Sequence, residues 1–165
     1  MKQHIKQFFN FLEKKENRKV PLRVKLLNPK DYEIGPEDLN VKGDVYLGDT
    51  SVTLLPDNLT VGGNLDLLRT PIKELPDSLK VGGSLYLSHN PIQSLPDNLK
   101  VGEWLILTNI AIDSIPNNLK VGKGLYAKKV RVNGSPLAQK YTEEEVRSMI
   151  EEKGGFVKGD IDLKN

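Results

Sequence analysis

Few side chains in this sequence are placed to do chemistry, and their spacing speaks for binding rather than catalysis. His4 and His89 are the two histidines, and they lie far apart in chain order. Cysteine is absent, which removes thiolate nucleophiles, disulfides and cysteine-based zinc sites. No phosphate-binding loop, dinucleotide-binding fingerprint or Gly-x-Ser-x-Gly elbow occurs, and Gly82-Gly83-Ser84 is part of a repeat rather than a phosphate cradle. Asp44, Asp49 and Asp66 invite a cation but do not share one loop with ligand spacing, so no metal site is read from them. No catalytic residue and no cofactor is assigned, and the expected activity is non-enzymatic. What remains is a set of side chains suited to recognition: Tyr46, Tyr86, Trp104, Ile106 and Tyr126, with Asp66, Leu68 and Lys128 among them. Tyr and Trp are enriched in protein-binding hot spots.

These residues act together only if the chain brings them to one face, and its periodicity does so. Residues 61–100 read VGGNLDLLRTPIKELPDSLK and then VGGSLYLSHNPIQSLPDNLK, two copies of one 20-residue unit. With Val as position 1, apolar residues fall at positions 1, 5, 7, 12, 15 and 19, glycine at 2 and 3, and proline at 16. Pro36, Pro56, Pro76, Pro96, Pro116 and Pro136 keep that phase along the chain. Residues 41–120 hold four clear copies, 121–140 a decaying fifth, and 21–40 a degenerate entry coil. One copy cannot bury its own apolar face, so the pattern predicts a stacked solenoid.

Within the unit, alternation over positions 4 to 8 predicts a short strand with positions 5 and 7 inward. Gly62, Gly63, Gly82 and Gly83 predict a tight turn with positive φ just before it. The Leu-Pro-Asp-Asn-Leu segment cannot continue a ladder at proline and is expected to form the return side in extended or turn-like backbone. Position 6 then reads Tyr46, Asp66, Tyr86, Ile106, Tyr126 and Asp162 down the stack, and position 4 reads Asp44, Asn64, Ser84, Trp104, Gly124 and Asp160. With positions 4, 6 and 8 facing solvent and strands about 4.8 Å apart, Tyr86, Trp104, Ile106, Tyr126 and Leu68 form one amphipathic patch. Trp104 breaks the glycine pattern as Gly102-Glu103-Trp104. The competing reading is that cross-strand aromatic pairs stiffen the sheet, or that another part of the chain covers this face. Asp44, Asp49 and Asp66 lie toward the first coil and Lys128, Lys129 and Arg131 toward the fifth, a gradient able to orient a dipolar partner.

The ends differ from the repeats. Ile5, Phe8, Phe9 and Leu12 follow helical spacing and predict a cap helix within residues 1–20. Leu22, Val24 and Leu26 alternate and predict one strand in the entry coil. Thr142 to Glu145 forms a capping box, with Val146, Met149 and Ile150 on one helical face and Gly154-Gly155 as a stop. Residues 157–163, VKGDIDL, nearly repeat VKGDVYL at 41–47, which predicts a final parallel strand beside the fifth; residues 141–165 are thus read as a closing helix and strand.

The run Leu65-x-Leu67-x-x-Thr70-x-Ile72, repeated as Leu85-x-Leu87-x-x-Asn90-x-Ile92, resembles the strand-and-turn segment of leucine-rich repeats. The Leu-Pro element is similar to the short subclass in secreted effectors of enterobacteria and in bacterial and phage proteins. This resemblance spans about residues 36–136. It implies an α/β repeat fold: a leucine-rich-repeat solenoid with a parallel concave sheet, an irregular convex side, an N-terminal helical cap and a C-terminal helix-plus-strand cap. It also implies a bacterial or phage source. The family's asparagine ladder is kept only at Asn90 and gives way to Thr50, Thr70, Ile110 and Val130, and the Val-Gly-Gly element departs from the effector pattern. The lack of cysteine excludes the thioester chemistry of ubiquitin ligases found among such effectors.

Over 165 residues the net charge is only +2, and no 18-residue apolar run exists. A cytoplasmic protein is expected, with export into a host cell without a cleaved leader left open, and no membrane partner is assigned. The function read from the sequence is protein–protein recognition, as an inhibitor or adaptor, through the face carrying Tyr46, Asp66, Leu68, Tyr86, Trp104, Ile106, Tyr126 and Lys128. Self-association through that face is one alternative. Another is single-stranded nucleic acid, with bases on the Tyr and Trp rings and phosphates on Lys128, Lys129, Arg131 and Lys140; the balanced charge opposes it.

Overall fold

A computed structural model describes residues 7, 11 and 19–163. Residues 40–163 wind into a parallel β-solenoid of about five turns carrying two rows of six strands. One row holds Val45–Tyr46, Leu65–Asp66, Leu85–Tyr86, Trp104–Thr108, Gly124–Lys128 and Ile161–Asp162, and is called the tyrosine row below. The other, the valine row, holds Asn40–Val41, Thr60–Val61, Lys80–Val81, Lys100–Val101, Lys120–Val121 and Phe156–Val157. Ala111–Ile112 and Arg131–Val132 add a short third ladder in the later coils, and Ser135–Pro136 joins it antiparallel. From the first coil to the fifth, register steps by one repeat unit: Leu65 opposes Leu85, which opposes Leu105, and Val61 opposes Val81.

The core follows from the alternation. Leu65, Leu67, Leu85, Leu87 and Leu105 at positions 5 and 7 have no exposed surface, and Leu59, Val61, Ile72 and Ile92 from the other sides of the coil meet them. Fully burying a side chain of this size contributes roughly 2 kcal/mol. At position 10, the Asn90 side-chain amide donates within the core, 2.8 Å from Leu67 O, 2.9 Å from Thr70 O and 2.8 Å from Thr70 Oγ1, so it ties two coils together.

The valine row was not expected. Its strands are two residues long, and the glycines that follow it do not serve the purpose read from the sequence. None of Gly62, Gly63, Gly82 and Gly83 has a positive φ. They are glycine because neighbouring coils come close: a Cβ on Gly82 would lie 2.4 Å from Gly62 O, and one on Gly83 2.6 Å from the Asn64 side-chain oxygen. Left-handed backbone occurs instead at position 9, where Asp49, Arg69, His89, Asn109 and Lys129 all have φ between 50° and 58°. Position 18 repeats it at Asn58, Asn98 and Asn118.

The entry coil is also different from expectation. Leu22–Leu27 is a helix, not a strand, and it starts directly after Pro21. Leu22, Lys25 and Leu26 stand at i, i+3 and i+4 and turn one face to the core, which outweighs the alternation of Leu22, Val24 and Leu26. Lys25 belongs to that face because its ammonium is neutralised by Asp38 at 2.8 Å. Of the cap helix read within residues 1–20, only Gln7 and Phe11, which are helical and exposed, and Lys19 and Val20, which are not helical, are among the described residues.

After a helical turn at Leu137–Lys140, the helix Glu143–Glu152 begins at Thr142, whose Oγ1 accepts from Glu145 N–H at 3.2 Å while the Glu145 carboxylate accepts from Thr142 N–H at 2.7 Å. Val146 and Ile150 are buried against the last coils. The chain then re-enters both rows: Val157 opposes Val121, and Ile161 opposes Leu125. No helix among the described residues is long and apolar enough to cross a membrane.

Candidate protein-binding face

The tyrosine row brings the sequence-selected side chains into one file. Tyr46 opposes Asp66, which opposes Tyr86, then Ile106, Tyr126 and Asp162. Gly124 opposes Trp104, and Lys128 opposes Thr108. Tyr46, Tyr86 and Trp104 are 54%, 38% and 37% exposed, large fractions for aromatic rings. Asp66, Leu68, Ile106, Tyr126 and Lys128 are partly covered.

The alternation that predicts positions 4, 6 and 8 to face solvent holds at position 6 and fails at parts of the others. Ser84, Ser88 and Gly124 are buried. At position 4 the cause is a ladder that the sequence did not reveal: Asp44 Oδ1 accepts from Asn64 N–H at 2.6 Å, Asn64 Oδ1 from Ser84 N–H at 2.7 Å, and Ser84 Oγ from Trp104 N–H at 3.3 Å. Each polar side chain reaches onto the next coil: Ser84 is buried, Asn64 partly covered, and Asp44 at the start of the ladder stays exposed. Gly63 and Gly83 make room for it, since a Cβ there would strike the Asp44 or Asn64 oxygen. The short Ser84 removes that need, and position 3 becomes Glu103, which pairs with Lys123 at 2.7 Å. Trp104 has no acceptor to offer and ends the ladder. Its ring lies over Gly124, where a Cβ would come within 2.4 Å of the indole. The departure Gly102-Glu103-Trp104 is therefore structural in part: one face of the indole packs on the neighbouring strand, and the remainder is exposed.

The charged groups of the face have partners of their own. Asp49 pairs with Arg69 at 3.0 Å across coils, with both side chains well exposed, and such pairs stabilise by about 0–1 kcal/mol. Asp66 Oδ1 accepts from Leu68 N–H at 2.9 Å. Among the described residues no three His, Asp or Glu side chains gather as a metal site. The Lys128 ammonium lies 4.9 Å from the centre of the Tyr126 ring. Hydrogen bonding to Tyr126 holds its pKa above the ordinary lysine value, with the charges of Tyr126 and Asp162 adding to the effect.

Tyr46 OH donates to Asp44 Oδ2 at 2.7 Å. The Asn64 N–H and then this hydroxyl hold the Asp44 carboxyl below the usual aspartate range, and the carboxylate in turn pushes the tyrosine hydroxyl up. A depressed carboxyl pKa stabilises the fold above the unfolded value near 3.9, and that contribution is lost as pH falls through the folded value. Tyr46→Phe is expected to move Asp44 toward, but not to, its ordinary pKa, because the Asn64 bond remains. A carbon-detected NMR titration of Asp44 checks this, and an unchanged midpoint would remove Tyr46 from the ladder's end.

Sequence reasoning overlooked a second feature, on the valine row. Lys80, Lys100 and Lys120 stand directly opposite one another at position 20. The signal was present as lysine at position 20 in four successive units, Lys80, Lys100, Lys120 and Lys140, but no strand was expected at that position. No family model, no curated protein and no solved structure matches the chain.

Proposed function

We propose that this chain is a non-enzymatic recognition module that binds a partner protein across the tyrosine row. The observation that carries the reading is the exposure of Tyr46 and Tyr86 in the register-aligned position 6 file that continues through Ile106 and Tyr126, with Trp104 exposed at position 4 of the strand that carries Ile106. Exposed aromatics on one face offer a large contact area at low side-chain entropy cost, and Tyr and Trp are enriched among the few residues that dominate binding energy at protein interfaces. Acidic side chains at one end and Lys128 at the other set the orientation of the partner. The leucine-rich-repeat reading belongs to the same proposal. It is supported by the apolar spacing and by Asn90 bridging to Leu67 and Thr70, as a ladder asparagine does; the valine row is the feature that sets these coils apart.

The test uses Tyr46→Ala/Tyr86→Ala, since both rings are exposed and neither covers a glycine as Trp104 does. Immobilised wild-type protein is expected to retain a specific protein from a lysate of its source. The double variant, with unchanged circular dichroism and Tm, is expected to bind it at least 30-fold more weakly, about 2 kcal/mol, on losing two anchors. Equal retention by both forms would refute the reading, as would the absence of any retained protein.

A further inference from the structure

The two strand rows end in the last coil, and an arginine from the preceding helix is folded over that end. Arg147 Nη1 donates to Val157 O and Nη2 to Gly159 O, the latter at 2.7 Å. These two carbonyls are not arbitrary. In the earlier coils the position 1 carbonyl accepts from the position 2 N–H of the coil that follows: Val41 O from Gly62, Val61 O from Gly82, Val81 O from Gly102, Val101 O from Gly122 and Val121 O from Lys158. The position 3 carbonyl accepts likewise, Gly43 O from Gly63, Gly63 O from Gly83, Gly83 O from Glu103 and Glu103 O from Lys123. Val157 and Gly159 hold positions 1 and 3 of the last coil, and both rows end there. The guanidinium thus fills the place of two backbone N–H groups that a further coil would bring. A planar fork with several donors can do this, whereas an ammonium acts as one point charge.

An unblocked end of this kind is a template for strand addition. In the tyrosine row the position 5 N–H donates forward, as from Val45 to Asn64 O and from Leu125 to Asp160 O, so the Ile161 N–H is aimed past the last strand. Asp160 holds position 4, where Asp44 and Asn64 accept the next coil's N–H. The partner that fits is the first coil of a second copy. Its residues 41–47 are identical to 157–163 at five of seven positions. Lys42, Gly43 and Asp44 there are exposed, and the Lys42 and Gly43 N–H groups hold the positions that donate to a preceding coil. We propose that Arg147 is the stop that keeps the C-terminal end from taking up the first coil of another copy, and that without it the chains stack head to tail. Such a contact does not close on itself and extends into filaments.

Sedimentation velocity over a range of concentrations tests this. The wild type should stay at its monomer mass of 18.5 kDa. Arg147→Ala, folded by circular dichroism, should show a mean mass that climbs with concentration to roughly twofold or more, as expected of an open-ended contact. Lys42→Pro in the Arg147→Ala background removes one outward N–H from the opposite end and should restore the monomer. Arg147→Lys keeps the aliphatic stem but serves only one carbonyl, and should associate at higher concentration than Arg147→Ala; it carries the test if the alanine variant fails to fold. A folded variant that stays monomeric at every concentration, or association that Lys42→Pro leaves intact, would overturn the proposal.

Discussion

Gly102→Ala is expected to destabilise the protein by about 3 kcal/mol, at the upper end of ordinary overpacking costs, and to lower Tm by roughly 6–12 °C for a chain of this size. An added Cβ would stand 1.9 Å from Gly82 O, a backbone atom rather than the tip of a movable side chain. Relief requires separating two coils, yet Gly102 N–H is bonded to Val81 O at 2.9 Å and Lys100 and Val101 pair with the flanking strands. The same approach recurs at Gly122, so the penalty cannot be passed along the stack. Gly43→Ala is the internal control, because nothing lies within 4 Å of a Cβ there, and it should change stability by no more than about 0.5 kcal/mol. Thermal melts of the two variants decide the matter. If Gly102→Ala melts with the wild type, the coils are not in backbone contact at position 2.

Lys25→Met is expected to cost about 3–5 kcal/mol, the range for removing one member of a buried pair. Lys25 and Asp38 side chains are 10% and 5% exposed, with Nζ and Oδ2 2.8 Å apart. Gly35 N–H donates to the same oxygen at 2.9 Å, but a single neutral donor does not offset a buried carboxylate. Lys25→Met/Asp38→Asn should recover most of the loss, since it leaves an acceptor for Gly35 and no net charge. Urea denaturation measures both, read as midpoint shifts at constant slope. A cost below about 1 kcal/mol for Lys25→Met would mean that the pair behaves as an exposed one.

How much of this was legible in the sequence depends on the distance over which each residue's role is decided. Leu65 and Leu67 declare themselves by alternation, the proline phase fixes which residues oppose one another from Tyr46 to Tyr126, and the near-repeat of 41–47 at 157–163 adds Asp162, so the file could be written down in advance. Leu22, Val24 and Leu26 misled because a six-residue window fits both periods, and Lys25 concealed its place in the core by being charged. The glycines were noticed, but for the wrong reason: their cause is the carbonyl or side chain of the coil before, which no local rule contains. Position 9 shows the converse. Arg69, His89 and Lys129 adopt a conformation usually left to glycine or asparagine because the coil requires a turn there. The double role of Trp104 was half visible, as a break in pattern, while its packing on Gly124 depended on the neighbouring strand.

The uniform register of the stack also bears on how the chain reaches this state. In the first five coils the bonds that join one coil to the next link residues about 20 apart in a chain of 165. Divided by chain length, that separation gives a relative contact order of about 0.12, the border between helical bundles and mixed domains and below that of β-sandwiches. Although its core is built on strands, the protein does not have to search for a distant partner. Up to the fifth, each new coil closes a loop of one repeat onto a surface that already exists, and the cost of ordering that part of the chain is met in equal, modest steps; the last coil, with the helix Glu143–Glu152 inserted, closes a longer loop from Val121 to Val157.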